Sequence, residues 1–316
     1  MPNRRVAVLL PCFNEAVAIA QVIRDFAQAL PDATIYVYDN NSTDDTASQA
    51  SHAGAVVCSE IRQGKGNVVR RMFADIDADI YVMADGDRTY DAASAPAMIE
   101  RLIRDNLDMV VAKRQLAKDS IGAYRLGHET GNRAMTRFVG ELFGACFTDI
   151  FSGYRVFSRR FVKSFPALTV GFEIETELTV HALQLGLPVA EIPSPYQARP
   201  EGSASKLSTV ADGWRILITI LQLYKDVCPL RFFGAIGVAL LAMAVVLAWP
   251  LLLTWLDTGL VPRFPTAILT TGIVLLAFIS FACGVILESV ARGRLEAKRL
   301  AYLRYANPVE PPTLPS

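Results

Sequence analysis

Two stretches, 232–256 and 264–287, run for 25 and 24 residues without an Asp, Glu, Lys or Arg. Nothing else in the chain limits its fold as much. At about 1.5 Å rise per residue, a helix of either length crosses a hydrocarbon layer of roughly 30 Å. Two membrane spans are therefore expected. Trp249 and Trp255, towards the end of the first, suit interfacial anchors. The 52% hydrophobic content of the 316 residues is high for a soluble enzyme, and these stretches concentrate it. Lys225 and Arg231 precede the first span, whereas Arg292, Arg294, Lys298, Arg299 and Arg304 follow the second. The short link between them carries only Arg263, so the positive-inside rule predicts cytoplasmic termini and an outward hairpin tip. This makes a multi-pass protein of the cytoplasmic membrane. The N-terminal VAVLL is too short for a signal peptide and ends at Pro11.

Charge excludes little else. Thirty-one basic and thirty-one acidic residues cancel, which gives no footprint for nucleic acid. The five cysteines (12, 58, 146, 228, 283) form no C-x-x-C pair, so they read as buried filler in a reducing compartment.

The first half alternates short apolar strands with helices: RVAVLL, then a helix from Glu15 to Leu30, TIYVY, AVVC, a helix opened by GKG, DIYVMA, SAPAMIERLIRD and DMVVA. This pattern predicts an α/β fold, a mostly parallel sheet covered on both faces. Ligands of such sheets bind beyond the carboxyl ends of the strands. Three of those ends carry the most polar segments of the chain: PCFNE, DNNSTDD and DGDRTYD. Further on, SGYRVFS reads as a strand, GFEIETELTVHALQLG as an amphipathic helix and PVAEIPSPYQARPEGSASK as a loop. Residues 207–226 form a helix placed to lie in the membrane interface. The expected domains are 1–206 catalytic, 207–230 juxtamembrane helix, 231–290 hairpin and 291–316 basic cytoplasmic tail.

Asp85-Gly86-Asp87 ends an apolar strand with two like charges and no lysine nearby in sequence. Mg²⁺ or Mn²⁺ suits such a place, because these ions take one or two carboxylates together with waters and substrate phosphates. Gly86 would let a ligand approach the backbone. Glu15 either starts a helix or serves a ligand. Asn40 either caps a turn or meets a uracil edge. Gly64-Lys65-Gly66 reads equally as an anion-binding helix start or as a turn. Arg114, Arg125, Arg199 and Lys206 are placed between the acidic pair and the membrane, where they suit phosphate oxygens.

Together, PCFNE, DNNSTDDT, GKG, DGDRTYD, AKR (112–114), DIFSGYRVFSRR (149–160) and RPEGSASK (199–206) resemble glycosyltransferase family 2, over roughly residues 5–228. The likeness is to its membrane-bound polyprenyl-phosphate sugar synthases. It implies an inverting GT-A fold. Pro11, Phe13 and Glu15, with Tyr38 and Asn40, would hold the base and ribose. Asp85 and Gly86 would make ribose and metal-loop contacts, and Asp87 would ligate the metal. Arg114 and Arg125 would meet the donor and acceptor phosphates, with Arg199 and Lys206 on a mobile basic loop. Asp87 and Arg125 are thus the expected catalytic residues. Phe13 stands where tyrosine is common, Asn40 where a second aspartate is usual, and Thr89 where some members have a metal-binding glutamine. The implied reaction moves glucose or N-acetylglucosamine from a UDP-sugar to a polyprenyl phosphate, with GDP-mannose as the alternative donor. From another class, a non-catalytic membrane scaffold or lipid-carrier flippase stays open. Association through the hairpins predicts a homo-oligomer.

Overall fold

In chain order the elements of the computed structural model are β1 (Val6–Cys12), α1 (Ile19–Ala29), β2 (Thr34–Asp39), α2 (Thr46–His52), β3 (Val56–Ser59), α3 (Lys65–Asp75), β4 (Ile80–Met83), α4 (Ala95–Arg104) and β5 (Met109–Leu116). Then follow β6 (Arg155–Ser158), α5 (Arg159–Ser164), α6 (Ile174–Leu185), β7 (Val189–Tyr196), α7 (Thr209–Val227), α8 (Pro229–Thr258) and α9 (Phe264–Leu303). The structure describes residues 4–116, 136–141, 144, 147–197, 199–200 and 209–306; Arg125 and Lys206 lie outside them.

The strands form one mixed sheet in the order β3-β2-β1-β4-β6-β5-β7. β1 pairs in parallel with β2 and with β4, so Leu9 sits beside Tyr36 and Met83. β6 runs antiparallel between β4 and β5. Alternation along β1 sends side chains to two cores. Val8 and Leu10 join Val22 and Phe26 of α1 and Met98 and Leu102 of α4. Ala7 and Leu9 join Met72 and Phe73 of α3, Phe161 of α5 and Leu178 of α6. Both faces are covered, as parallel strands with crossover helices require.

Two segments differ from the sequence expectation. Val189–Tyr196, read as loop, is a strand paired in parallel with β5 from Met109↔Val189 to Leu116↔Tyr196. Its Pro193 and Pro195 are accepted because β7 is the last strand of the sheet, where a missing N–H interrupts no second ladder. The α6 segment is not amphipathic: Ile174 through Ala182 are all buried, including Glu175, Glu177 and His181. Glu177 accounts for itself by accepting the backbone N–H groups of Leu168 and Thr169, at 2.9 Å each.

The chain divides into two compact units, Met1–Ile220 with Lys298–Ser316, and Leu221–Ala297. In the first, Ile216 and Ile220 of α7 join Val139 and Ile150 in a small core, while Trp214 is exposed. The last residues of α9 are docked rather than loose. Tyr302 donates to Asp108 at 2.9 Å, Arg160 stacks on the Tyr302 ring at 4.9 Å, and Lys298 donates to Gln184 at 2.7 Å.

In the second unit, both long helices are apolar enough to cross a membrane. They meet through small residues. A Cβ on Gly237 would lie 2.8 Å from the Phe281 ring, and Ser280 donates to the Phe233 carbonyl at 2.8 Å. Such close approach is what substitutes for a hydrophobic driving force between helices in lipid.

Candidate active site

The polar segments after β1, β2 and β4 converge at the carboxyl ends of neighbouring strands. The first two are laced together. Asn14 takes the left-handed conformation at φ 53°, turning the chain after β1. The N–H groups of Asn14, Glu15 and Ala16 then donate to Ser42 Oγ (2.8 Å), Thr46 Oγ1 (2.8 Å) and Asp44 Oδ2 (3.1 Å). The polar run Asp39–Thr46 therefore serves its neighbour's backbone more than its own helix. Pro11 lies beside Tyr38, one position before the β1–β2 pairing ends at Cys12 beside Asp39; Phe13 is half-buried, and Glu15 is buried.

Tyr38 and Asn40 do not stand ready for a base as expected. Tyr38 is buried, and its hydroxyl donates to Asp75, the last residue of α3. Asn40 donates to the carbonyls of Glu60 and Arg62, both at 2.8 Å, and accepts the Gly64 N–H at 2.7 Å. Both amide hydrogens and the oxygen are committed to the loop 60–64. Its neighbour Asp39 is different: Oδ2 accepts from the Ser42 N–H, while Oδ1 is buried with no hydrogen-bond partner among the described residues. That orphaned oxygen is an acceptor awaiting a donor.

The glycines of the GKG turn make room for backbone. A Cβ on Gly64, which adopts φ 125°, would lie 2.4 Å from the Val170 carbonyl oxygen; one on Gly66 would lie 2.2 Å from that of Thr169. The Gly66 N–H donates to Val170, so this helix start is closed by protein and is not a phosphate cradle. Lys65 is the residue the turn delivers. Its ammonium lies 2.5 Å from Asp85 Oδ1 and 2.5 Å from Glu175 Oε1. Burial alone would lower its pKa, but Asp85 and Glu175 outweigh that and hold it well above the ordinary lysine range. Gly153 covers the pair, since a Cβ there would come within 2.8 Å of Asp85 Oδ2 and 3.0 Å of Lys65 Nζ. The loop carrying Gly153 is pinned from beneath by fully buried Arg155. This guanidinium donates to Ile150 O (2.6 Å), Ser152 O (2.9 Å) and Thr179 Oγ1 (3.0 Å). Burial brings its pKa down to about 10, so it stays charged at neutral pH.

Packing alone requires a glycine at Gly86. A Cβ there would lie 2.5 Å from Cys12 Sγ. Asp87 is buried and fully engaged. Oδ1 accepts the Thr89 hydroxyl (2.6 Å) and N–H (3.1 Å), and Oδ2 pairs with Arg199 at 2.7 Å. Burial raises the Asp87 pKa above the usual aspartate range and Asp85 adds to the rise, against the pull of Arg199 and Thr89. Arg88, directly after Asp87, adopts φ 61°, which turns Thr89 back towards Asp87. Arg114, expected at the diphosphate, is held by Asp149 through Nε and Nη2, both at 2.8 Å. Arg114 is therefore no loose phosphate clamp.

Among the described residues no three His, Cys, Asp or Glu side chains form a metal cage. Asp87 nonetheless already faces a cation, the Arg199 guanidinium, and Asp85 faces another. A divalent ion held by a single carboxylate and completed by substrate phosphates fits this donor set; an all-protein cage does not.

Asp85, Gly86, Asp87, Asn40 and Arg199, all expected from the sequence, are thus gathered at one strand-end cluster. Lys65, Glu175, Asp39 and Gly153 were not singled out for it. Only the isolated lysine between two glycines hinted at one of them.

A family model described as "Glycosyl transferase family 2" matches residues 7–163. Glycosyltransferase AglJ of Haloferax volcanii is 36% identical over 251 residues, covering 79% of this chain and 82% of that one. A dolichyl-phosphate hexose transferase of the same organism is 29% identical over 217 residues, 69% and 92% of the two chains. Among solved structures, glucosyl-3-phosphoglycerate synthase from Mycobacterium tuberculosis, in complex with Mn²⁺, UDP and phosphoglyceric acid, superimposes with a TM-score of 0.59. It is 25% identical and covers 70% of this chain and 79% of that one. The GT-A architecture expected from the sequence is the one found.

Proposed function

From the premise that this chain belongs to glycosyltransferase family 2, we propose that it transfers a hexose from a nucleoside-diphosphate sugar to a polyprenyl phosphate at the cytoplasmic face of a membrane. The observation carrying the reading is the Asp85–Asp87 strand end, with its two internal cations, in a chain that also has two apolar helices long enough to span. The relative named as a dolichyl-phosphate hexose transferase supports the acceptor class. UDP is the favoured nucleotide because the solved relative was captured with it. Asn40 lends no support to that choice, since its amide is engaged. The orphaned Asp39 Oδ1 supplies an acceptor for a base N–H, which uracil and guanine both offer. Glucose and N-acetylglucosamine remain the favoured sugars.

The chemistry asks little of the protein in proton transfer. The acceptor is a phosphate monoester with a second pKa of roughly 6, so it is largely dianionic at neutral pH and needs no general base. This agrees with an Asp149 held by Arg114 and a Glu175 held by Lys65. An acceptor phosphate oxygen forms the bond to the anomeric carbon from the face opposite the leaving group, and the nucleoside diphosphate departs with the electron pair. Bound at Asp87, Mg²⁺ or Mn²⁺ would supply positive charge to that diphosphate. Asp87 holds its place through Thr89. Arg199, paired with Asp87, would follow the developing charge onto a phosphate oxygen. Positioning and fixed charge supply the acceleration.

Membranes containing the chain, incubated with radiolabelled UDP-glucose, UDP-N-acetylglucosamine or GDP-mannose, are expected to yield a lipid-extractable, acid-labile product from one of the three. Asp87→Asn should lower that yield by about 100-fold or more while leaving the protein in the membrane. Label from GDP-mannose alone would change the donor. No labelled lipid from any donor would leave the scaffold or flippase reading standing.

A further inference from the structure

Asp85 and Asp87 look alike in sequence but differ in how their charge is balanced. The partner of Asp85 is built in. Lys65 is only 10% exposed at its side chain, starts a helix whose backbone is sealed by Val170, and also serves Glu175, itself 5% exposed. Pulling the ammonium off Asp85 would leave two carboxylates facing one another in poor solvent. The partner of Asp87 is of another kind. Arg199 follows the end of β7, is 26% exposed, and places its Nη2 2.7 Å from Asp87 Oδ2. The second oxygen is filled by the two Thr89 donors. The position a cation would take on Asp87 is therefore Oδ2, where a guanidinium already stands.

We propose that Arg199 is the exchangeable counter-ion of Asp87, displaced when a divalent cation enters, whereas Asp85 keeps Lys65 throughout and does not contribute to cation binding. Cation entry and release of the guanidinium are then one event. The released group can engage a phosphate only after the cation is in place, which couples the two ligands without any wider rearrangement. The inference rests on the reading of this pocket as a donor–cation site, but its test does not use sugar transfer.

Purified full-length protein in detergent is titrated with Mn²⁺ alone, and free Mn²⁺ is read from its electron paramagnetic resonance signal. Arg199→Ala should bind Mn²⁺ about 10- to 100-fold more tightly than the parent, the range spanned by one charge-assisted hydrogen bond. Arg199→Lys, which keeps the charge, should stay within about threefold of the parent, and Asp87→Asn should lose the site. Asp85→Asn should also stay within about threefold, although a pair of chelating aspartates would predict a large loss. Unchanged, weaker or undetectable Mn²⁺ binding in Arg199→Ala overturns the proposal. So does a loss in Asp85→Asn as deep as that in Asp87→Asn. Failure of every sugar donor in the membrane assay would sink the proposed activity, and the Mn²⁺ affinities would still decide the counter-ion question.

Discussion

Replacing Lys65 by methionine tests the electrostatic core of the site. The side chain keeps its length and loses its charge, so Asp85 and Glu175 are left without the ammonium that lies 2.5 Å from each. Breaking a buried ion pair from one side costs about 3–5 kcal/mol, because the abandoned charge stays desolvated. Asp85 is 29% exposed at its side chain and can draw on water, which points to the lower end, about 3 kcal/mol. A unit of this size shifts its midpoint by about 2–4 °C per kcal/mol, so thermal unfolding should move down by about 6–12 °C. The pH window follows from the raised lysine pKa. A group held above its ordinary value of 10.5 contributes fully below that value, and its contribution fades only as pH climbs through the folded-state value. The deficit of Lys65→Met should accordingly be the same at pH 6 and pH 9. The assay is scanning fluorimetry of the full chain in detergent, on Lys65→Met, Glu175→Gln and the double variant. Glu175→Gln should be destabilising alone yet restorative in the Lys65→Met background, since it removes the uncompensated charge. A midpoint loss under about 2 °C for Lys65→Met, or strictly additive effects in the double variant, would refute the shared-ammonium account.

Two further outcomes follow from close contacts and burial. Gly86→Ala places a Cβ 2.5 Å from Cys12 Sγ and should cost about 1–3 kcal/mol of stability; adding Cys12→Ala should recover most of it, as midpoints of the three variants will tell. His181 is buried, and burial, with Lys298 adding repulsion, pushes its pKa down to about 3. Below its ordinary value of 6.5 the unfolded chain takes up a proton that the folded chain refuses, so stability falls as pH falls from 6.5 towards 3. At about 1.4 kcal/mol per pH unit, lowering pH from 6.5 to 5 should remove about 2 kcal/mol. His181→Gln should flatten that decline, and parallel midpoint-versus-pH curves for the two proteins would show that another group causes it.

What could be read from the sequence was whatever depends on neighbours in sequence. Short apolar runs closed by polar turns give β1, β2 and β4, and their ends are where the site lies. The acids of GFEIETELTVHALQLG, the segment read as an amphipathic helix, misled for the same reason. Read locally they mark a wet helix face, but Glu175 and Glu177 are buried against Lys65 and the 168–169 backbone. The partners of Lys65 are 20 and 110 positions away, and Arg114 meets Asp149 across 35. No spacing rule reaches that far. Asp39 and Asn40 show a finer limit. Adjacent residues at a strand end point to different surroundings, and only the structure assigns the loop to the amide and the vacant acceptor to the carboxylate. In β7, Pro193 and Pro195 argued against a strand because sequence does not say which strand will be the edge.

The basic run after the second apolar stretch carries two physical messages at once. α9 is 40 residues, about 60 Å, roughly twice the thickness of a hydrocarbon core. Its apolar part ends at Leu287, so its last four turns must be solvated by something other than lipid. Part of that solvation is protein. Asp108 is fully buried before β5, a place a lone carboxylate could not occupy. It is tolerated because Ser158 (2.6 Å), Arg160 (2.5 and 3.1 Å) and Tyr302 (2.9 Å) all donate to it, and the Tyr302 ring lies under Arg160. Arg159 repeats the arrangement on Tyr305 at 5.3 Å. Positive charge in this segment is what the positive-inside rule reads as a cytoplasmic flank, while the tyrosines between the charges complete a buried network at the amino end of β5. That end of the sheet is opposite the strand ends that carry Asp85 and Asp87, so this end of α9 is held by the same unit without intruding on its chemistry.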